Sequence, residues 1–562
     1  MAFIFSSILD VIGISLIGIF LAFITNMDVF FQKFHFLGNV FGNLTEKQII
    51  VCSGLFIIAA FIIKAYVALR IQTQIVFFSL GLSVRLKTRL MMAYQIAPFE
   101  YHLQKNSAYL VTRMQDNINN YINNLLMPIL NVISNGIVIF FILISLAIMR
   151  PLPTIFLGAM FLTLGTSYDW YAKKKLAKAG KIVAELNGEL VKNINHGLHG
   201  LNEIRVLGRE NYFLSQLTKI SRQYAQNYGL LTALQQVPRY LIENIMAMFI
   251  VGIGLIGIFA GYSVGVIVAT AGMFAAAGVR LLPTVNQFLT GLNQIRGSSY
   301  HMQLIYDELT EVDKLSNKAF LVNDGEKYPF SNIILQNVTY QYPRAHRLVL
   351  TNITMSIKKG QSIGLVGASG AGKSTLINII LGFIEPSQGC LLIDGKPRSD
   401  LRKWLNNFAY IPQSIFLLDD TLQRNIALGM EDHEIDAEKI FKTIEMAQLN
   451  EVVNELPLGL NTIIGENGIR LSGGQRQRVA LARALYHERD IIIMDEATSS
   501  LDNETEKEVI NTIKRLKGNK TLIVIAHRLS TVEHCDILYK LEKGEIVAAG
   551  SFHTVIGRPI TV

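Results

Sequence analysis

The sequence contains little cysteine, and its cysteines are far apart. Only three occur among 562 residues, at Cys52, Cys390 and Cys535. Their spacing fits neither a zinc site nor the dense disulfide framework of a small secreted domain. Both classes are therefore excluded, as expected for a chain whose bulk faces the reducing cytoplasm.

Charge is also scarce, and this excludes an ordinary soluble enzyme. Charged residues make up 17% of the chain and hydrophobic residues 50%, with a mean hydropathy of +0.34. A soluble enzyme of this length is normally more polar. No low-complexity tract or internal repeat stands out, so membrane-spanning helices are the natural cause of the apolar composition.

Six apolar segments predict an all-α transmembrane domain over residues 1–309. Each holds a stretch near the twenty residues that a bilayer requires. They are residues 3–25, 49–80, 121–149, 154–172, 230–259 and 263–290. The first begins beside Met1 without a basic stretch or cleavage site, so we expect a spanning helix and not a signal peptide. A linker at 310–331 then precedes a second domain at 332–562.

The placement of Lys and Arg predicts the orientation of this domain. The polar segments after the second and fourth apolar segments are rich in basic residues, whereas the opposite loops hold only Lys33, Lys47 and Arg150. The basic segments and both termini are therefore expected to be cytoplasmic. Much of the net charge of +9 follows from this topology. A nucleic-acid partner is not expected, because aromatic strips that bind nucleic acid are absent.

A phosphate-binding loop follows the apolar run 362–366, which is typical of a buried strand. Its glycines allow backbone N–H groups to turn inward around the phosphates of ATP, and the helix that follows presents its positive end. Lys373 supplies positive charge, and the Ser374 hydroxyl can bind Mg²⁺. The residues expected to contact nucleotide are Gly367, Ser369, Gly370, Gly372, Lys373, Ser374 and Thr375.

Two carboxylates follow a second apolar run, residues 491–494. A strand that delivers two acidic side chains to its carboxyl end suits a Mg²⁺ ligand followed by a base that orients water. We therefore expect Asp495 to bind Mg²⁺ and Glu496 to polarise the attacking water. With the phosphate-binding loop upstream, an acidic strand end without chemical function is a minor alternative.

Residues 332–562 resemble the nucleotide-binding domain of an ABC transporter. Besides the loop and the acidic strand end, the resemblance depends on the segment Leu471-Ser472-Gly473-Gly474-Gln475. In that family Ser472, Gly473, Gly474 and Gln475 would lie at a helix N-terminus and reach the γ-phosphate held by a second copy. The resemblance therefore implies a dimer, and the intact motifs imply that two identical chains suffice.

Other positions are assigned by the same resemblance. Tyr342 would stack on adenine, Gln413 would sense Mg²⁺ and face the membrane domain, and His527 would be the switch histidine. Residues 98–102 and 201–210 resemble the coupling regions of exporter-type members, which dock on nucleotide-binding domains. The alternative, that these two segments are amphipathic extensions without special contacts, stays open. The family usually has an interfacial helix before its first span, so here it is either shortened or the start is misplaced.

Basic residues within the apolar segments bear on the substrate. Lys64, Arg239 and Arg280 lie in or beside such segments, where a charge costs about 3 kcal/mol and normally faces a cavity. Such a cavity attracts an anionic substrate. Two alternatives stay open, since Lys64 can extend to the interface and Arg239 can pair with Glu243 one turn away.

The sequences of three short segments resemble those of bacterial lipid-linked oligosaccharide flippases of the PglK type. The segments are residues 237–243, 279–286 and 534–536. This resemblance implies an ATP-driven flippase of the bacterial inner membrane that carries an anionic amphiphile. A peptide or drug exporter and a lipopolysaccharide-precursor flippase remain alternatives. An ATP-gated channel or a regulator that transports nothing is the alternative from another class.

Overall fold

The computed structural model describes residues 46–105, 107–315, 325–343, 345–495, 503–526 and 528–557. The chain divides into two compact units. The helical unit comprises Met1–Ala97 and His102–Asn317, and the nucleotide-binding unit comprises Pro98–Tyr101 and Lys318–Val562. The division after residue 317 falls inside the linker predicted at 310–331, of which residues 316–324 lie outside the described residues.

Helices form every regular element that is described between residues 46 and 315. They are α1 (Glu46–Ile96), α2 (Phe99–Gln104), α3 (Ser107–Thr112), α4 (Ile118–Tyr121), α5 (Met127–Met149), α6 (Pro151–His199), α7 (Leu201–Val206), α8 (Glu210–Phe259) and α9 (Val264–Leu315). Two π-helical turns, Arg113–Asn117 and Ile122–Leu126, flank α4 and join α3 to α5 in one nearly continuous rod.

Four of these helical stretches are long and apolar enough to cross a membrane. They are Ile50–Ile96, Tyr109–Met149, Glu210–Phe259 and Val264–Glu311. With 51 residues, α1 is roughly 75 Å long at 1.5 Å per residue, more than twice the ~30 Å hydrocarbon core of a bilayer. Each such helix therefore continues well beyond the membrane, and these four contain the second, third, fifth and sixth predicted segments.

The predicted count of six spans stays a prediction. The segment 154–172 does form helix, within α6, but α6 is not among the four apolar helices in the described part of the chain. Its apolar stretch is limited by Pro153 on one side and Asp169 on the other, with threonines and a serine between. The segment 3–25 lies outside the described residues.

Helices α5, α6, α8 and α9 share a hydrophobic core. Ile142, Leu157, Phe249 and Phe274 are buried in it, one from each of these helices. Further along α6, a β-carbon added to Gly180 would lie 1.9 Å from the carbonyl oxygen of Gly297. The backbones of α6 and α9 are therefore in direct contact at this point, which small residues permit.

The nucleotide-binding unit is an α/β domain. Its strands are β1 (Asn332–Tyr340), β2 (Leu350–Lys358), β3 (Ser362–Val366), β4 (Gln388–Ile393), β5 (Lys396–Pro397), β6 (Phe408–Ile411), β7 (Ile491–Asp495), β8 (Thr521–Ile525), β9 (Ile537–Glu542) and β10 (Glu545–Gly550). Its α-helices are α10 (Lys373–Leu381), α11 (Leu401–Leu405), α12 (Leu422–Ile426), α13 (Ala437–Met446), α14 (Asn450–Glu455), α15 (Gly473–Tyr486), α16 (Asn503–Leu516), α17 (Leu529–Val532) and α18 (Phe552–Ile556).

The strands form two sheets. One is antiparallel, in the order β2-β1-β4-β5, and the other has the order β10-β9-β3-β8-β7-β6. In the second sheet β9, β3, β8, β7 and β6 are parallel. Residues of β3, β7 and β8 are buried throughout, as expected for parallel strands covered on both faces. The expected multidomain class, helical domain followed by α/β domain, is confirmed.

Candidate active site

The order of the parallel strands brings the candidate residues to one edge of the sheet. β3 pairs with β8, β8 with β7 and β7 with β6, so the carboxyl ends of all four strands lie together. The phosphate-binding loop follows β3, Asp495 ends β7 and Gln413 follows β6. Glu496 and His527 come next in sequence after β7 and shortly after β8, and both lie outside the described residues.

The phosphate-binding loop requires glycine at two positions for steric reasons. Gly367 has φ +153°, and a β-carbon there would lie 2.2 Å from the carbonyl oxygen of Leu541. Gly372, at the start of α10, has φ +102°, and a β-carbon there would lie 2.7 Å from the Leu350 side chain. The loop is therefore held against the β2 and β9 strands in a conformation that other residues would disrupt.

Lys373 is buried at the base of this loop. Its Nζ donates hydrogen bonds to the carbonyl oxygens of Gly367 at 2.7 Å and Ala368 at 3.0 Å. Ser369, Gly370 and Ser374 are exposed, and α10 begins at Lys373, directly after the glycines of the loop. An exposed cradle of backbone donors beside an ammonium group suits the phosphates of ATP.

Tyr342 lies beside the start of α10. Its hydroxyl shares a hydrogen bond of 3.1 Å with Oγ1 of Thr375, and its ring meets that of Tyr340 edge to face at 5.0 Å. The ring is half-buried. This position beside the phosphate-binding loop is consistent with contact to the base of a nucleotide, and the adenine-stacking role stays a prediction.

Asp495 is buried at the end of β7, and it has a tyrosine partner on the neighbouring strand. The Tyr410 hydroxyl, on the neighbouring β6, donates to Oδ2 of Asp495 at 3.4 Å. Partial burial, together with the charge of Asp495 and this hydrogen bond, raises the pKa of Tyr410 to about 12. Tyr410 therefore stays protonated and orients the carboxylate. Only the order of the strands identifies this pair, which no sequence motif signals.

The residues present fit Mg²⁺ in their chemistry. Ser374, Asp495 and Gln413 supply a hydroxyl, a carboxylate and an amide oxygen at one sheet edge, and Mg²⁺ prefers such oxygen ligands. When bound there with ATP, the ion neutralises charge on the phosphates. These assignments remain predictions.

The signature segment caps α15. Oγ of Ser472 accepts from the backbone N–H of Gln475 at 3.2 Å, and Oε1 of Gln475 accepts from the N–H of Ser472 at 2.9 Å. This reciprocal pair is a capping box, and buried Leu471 anchors the chain before it. Ser472 itself is exposed at a helix N-terminus, which is the setting that the predicted phosphate contact requires.

Arg483 fastens the same helix to the segment that follows Gln413. Its guanidinium donates to the carbonyl oxygens of Asn425 and Phe416, each at 2.9 Å, and burial lowers the pKa of Arg483. Asn425 is fully buried; its side chain accepts from the Leu418 N–H at 2.8 Å and donates to two carbonyl oxygens. No sequence motif signals this network, because Arg483 lies 58 residues after Asn425.

Glu506 performs a similar role for the segment that follows His527. Its buried carboxylate pairs with Arg528 and accepts hydrogen bonds from Ser530 at 3.1 Å and Thr531 at 3.4 Å. Glu506 lies on α16, which follows residues 496–502 in sequence. Glu506 therefore links α16, which follows Glu496 in sequence, to Arg528, which follows His527.

Residues 98–101, from the first predicted coupling region, belong to the nucleotide-binding unit. The Phe99 ring stacks on Phe383 at a centroid distance of 5.7 Å, and the Tyr340 hydroxyl donates to Oε1 of Glu100 at 3.0 Å. Burial and the contact with Glu100 raise the pKa of Tyr340. These contacts favour a docking segment over an extension without contacts.

The basic residues assigned to substrate lie on three helices of the helical unit. Nε of Arg239, on α8, donates to Oε1 of Glu243 at 3.0 Å, so the ion pair allowed by their spacing is formed. Nζ of Lys64, on α1, lies 5.2 Å from the centroid of the Phe61 ring. Arg280, on α9, is exposed. The substrate roles of all three remain predictions.

Known proteins are similar to this chain over both units. The family model described as "ABC transporter" matches residues 350–499. A lipid A-core flippase of Methylobacillus flagellatus is 33% identical over 411 residues, which is 71% of this chain and 68% of that protein. One from Nitrosococcus oceani is 29% identical over 469 residues, 82% of this chain and 76% of that protein. Both matches are longer than residues 318–562, so they extend into the helical unit.

The fold also has a solved counterpart. A bacterial Atm1-family ABC exporter with ATP bound superposes with a TM-score of 0.75, covering 96% of this chain and 94% of the other at 20% identity. The chain therefore belongs to the ABC transporter family, as an exporter-type half-transporter that couples ATP hydrolysis to transport.

Proposed function

We propose that the protein flips an anionic amphiphile across the bacterial inner membrane, and that its substrate is a lipid-linked oligosaccharide. The observation that carries this proposal is the similarity, through most of the chain, to proteins named ATP-dependent lipid A-core flippases. Both substrates combine sugars, phosphate and apolar chains in one molecule. The local resemblance to PglK-type flippases favours the polyprenyl-linked form.

Two identical chains would form the working unit. ATP held by Lys373 and the loop of one copy would meet Ser472 of the second copy, because a helix N-terminus with exposed N–H groups attracts the γ-phosphate. Glu496 would then orient the attacking water, and His527 would stabilise the arrangement. Hydrolysis would separate the two nucleotide-binding domains and reset the cycle.

Domain closure would reach the membrane through residues 98–101 and the Gln413 segment. The first is held by Phe383 and Tyr340, and the second by Asn425 and Arg483. Both are attached to the same unit that binds ATP, so movement of that unit would carry them along. The nucleotide-binding domain and both termini would be cytoplasmic.

Arg239 and Arg280 would attract the phosphate of the substrate. A guanidinium binds phosphate oxygens in a bidentate manner, and it is more weakly hydrated than an ammonium group. Phosphate would compete with Glu243 for Arg239, and Arg280, on α9, is exposed. Lys64 would add positive charge at a third helix.

A lipopolysaccharide precursor is the second candidate substrate, because the relatives carry that name. Reconstitution in liposomes with a fluorescent polyprenyl-linked oligosaccharide, and separately with a fluorescent lipid A-core, decides between them. We expect ATP-dependent flipping of the polyprenyl-linked lipid, reduced about tenfold or more in Arg239→Ala and Arg280→Ala, the loss expected for one charged hydrogen-bonded contact. Unchanged flipping in both variants would refute the arginine assignment, and flipping of lipid A-core alone would refute the substrate.

A further inference from the structure

A polar cavity of about 250 Å³ lies within the helical unit, between the rod that joins α3 to α5 and helices α6, α8 and α9. Side-chain carboxamides dominate its lining. Those from the rod are Asn117, Asn119, Asn120 and Asn124; the others are Asn187, Gln235 and Gln294. Of these carboxamides, only Asn124 and Gln235 fall within the predicted spans, so most of this lining lies beyond them, at the ends predicted to be cytoplasmic. The lining therefore offers many hydrogen-bonding groups on the side from which a lipid headgroup would enter.

The rod presents these groups on one face. Asp116, Asn119, Asn120 and Asn124 follow the i, i+3, i+4, i+8 spacing of a helix face, with Asn117 beside them. Asp116 and Asn117 lie within the π-helical turn Arg113–Asn117, and Asn124 lies within Ile122–Leu126; such turns occur frequently at functional sites. The backbone contact of Gly180 with Gly297 closes one wall.

The chemistry of the lining suits a saccharide better than a phosphate or an acyl chain. Each carboxamide offers two donors and an acceptor, which matches hydroxyl groups that both donate and accept. None of the described residues that line the cavity is Lys or Arg, and Asp116 adds negative charge to the lining. Lys87, which is not part of the lining, donates a hydrogen bond to Oδ1 of Asn119 at 3.0 Å. Tyr224 and Tyr228 supply parallel rings at 5.6 Å, and such apolar ring faces suit the C–H face of a sugar.

Part of the lining is already ordered by hydrogen bonds between its own members. Nδ2 of Asn124 donates to Asn120 at 3.0 Å, Nδ2 of Asn187 donates to Asp116 at 3.2 Å, and Nδ1 of His301 lies 3.2 Å from Oδ1 of Asn117. Carboxamides held in this way are pre-organised for a ligand, since less side-chain entropy is lost on binding. The volume is slightly below the ~300 Å³ of pockets for drug-sized ligands, so it suits one sugar residue.

We propose that this carboxamide cavity binds the first sugar of a glycolipid headgroup before the lipid is flipped; this rests on the function proposed above. The position of Gln235 supports the assignment. It lies one turn before Arg239 on α8, on the same face, and Arg239 is the deeper of the two in the predicted segment 230–259. A lipid with its sugar in the cavity would place its phosphate near Arg239 and its tail within the membrane.

The test compares two lipids with identical dioleoyl tails in nanodiscs that contain the full-length protein. Digalactosyl diacylglycerol carries sugar without phosphate, and dioleoyl phosphatidate carries phosphate without sugar. Binding is measured with radiolabelled lipid for the native chain, Gln235→Leu and Gln294→Leu. The matched control is Gln236→Leu, because Gln236 is the next residue on α8, is exposed and is not part of the lining.

We expect the glycolipid to bind the native chain and Gln236→Leu equally, and to bind the two cavity variants about tenfold more weakly, the loss expected for one or two hydrogen bonds. Phosphatidate binding should be equal in all four proteins, which shows that each is folded. Equal glycolipid binding to Gln235→Leu and Gln236→Leu would overturn the proposal. The proposal would also be overturned if the native chain preferred phosphatidate over the glycolipid and if Gln235→Leu and Gln294→Leu lost that preference.

The same proteins separate this proposal from the proposed function. If the native chain binds the glycolipid through the cavity but flips no polyprenyl-linked oligosaccharide, the substrate assignment fails and the cavity assignment stands. If it flips that lipid at equal rates in the native chain and both cavity variants, the flippase assignment stands and the cavity assignment is refuted.

Discussion

At the scale of single residues, the predicted chemistry depends on Glu496, which follows the buried Mg²⁺ candidate Asp495. We expect Glu496→Gln to lower ATP turnover at least 100-fold, because a positioned general base contributes about 10² to 10⁴ in rate. ATP binding should persist, since the loop around Lys373 is unchanged. Phosphate release and radiolabelled ATP binding measure the two effects, and turnover retained within tenfold would contradict the assigned role.

Because His487, directly after α15, is partly buried, we expect the folding stability of the protein to depend on pH. Burial, together with the positive charges of Arg489, Lys439 and Arg483, lowers the pKa of His487 to about 4. In the unfolded chain the histidine pKa is near ~6.5. The unfolded state therefore binds more protons between these values, and folding stability is lost as pH falls through that window.

We expect thermal unfolding of the purified full-length protein to occur at lower temperature at pH 5 than at pH 7, and His487→Gln to reduce the difference. His433→Gln is the control, because His433 is exposed on the same unit. Equal pH dependence in the native chain and His487→Gln would show that His487 contributes nothing.

At the scale of secondary structure elements, Asn425 connects α12 to the segment between Gln413 and Thr421. Replacement by alanine leaves the N–H and C=O of Leu418 without the side-chain partner they have now. Each buried group left unsatisfied costs about 1–3 kcal/mol. We therefore expect Asn425→Ala to lower the unfolding free energy of the nucleotide-binding unit by about 2–4 kcal/mol.

Urea unfolding followed by tryptophan fluorescence measures this change, since Trp404 is fully buried in the same unit. Asn454→Ala is the matched control, because Asn454 is exposed on α14. Similar midpoints for the two variants would mean that Asn425 does not hold this segment.

A substitution at Tyr340, on β1, tests whether residues 98–101 dock through Glu100. Tyr340→Phe removes the hydrogen bond to Glu100, and a bond to a charged group contributes about 1.5–3 kcal/mol. We expect basal ATP turnover within twofold of native and a clear loss of its stimulation by substrate lipid. Tyr539→Phe is the control, since it also removes a tyrosine hydroxyl, one that donates to the carbonyl of Ser356 and not to residues 98–101. Equal stimulation in the two variants would argue against coupling through Glu100.

The elements also show what the sequence could and could not predict. The phosphate-binding loop and β7 were predictable because an apolar run leads directly into a glycine-rich loop in the first case and into two carboxylates in the second. The helix N-terminus at Ser472 was implied by the family resemblance. Tyr410, Asn425 and Glu506 were not predictable, because each has a partner 24 to 85 residues away that only the fold brings close. The span at 154–172 stays a prediction, since α6 mixes apolar and polar residues between Pro153 and Asp169.

At the scale of the whole molecule, the proposed ATPase requires two copies. The purified active species should have twice the chain mass of 62.8 kDa, and mixing native subunits with Glu496→Gln subunits should reduce turnover more than in proportion to the native fraction. Native mass spectrometry and phosphate release provide the measurements. Full activity in a monomeric fraction would exclude a shared site.

The central claim is that ATP hydrolysis by this chain drives the flipping of a saccharide-bearing anionic lipid. The most direct measurement follows fluorescent polyprenyl-linked oligosaccharide in liposomes containing the native chain or Glu496→Gln, with and without ATP. We predict that the lipid changes leaflet only with the native chain and ATP. Equal flipping by Glu496→Gln, or none by an actively hydrolysing native chain, would contradict the account.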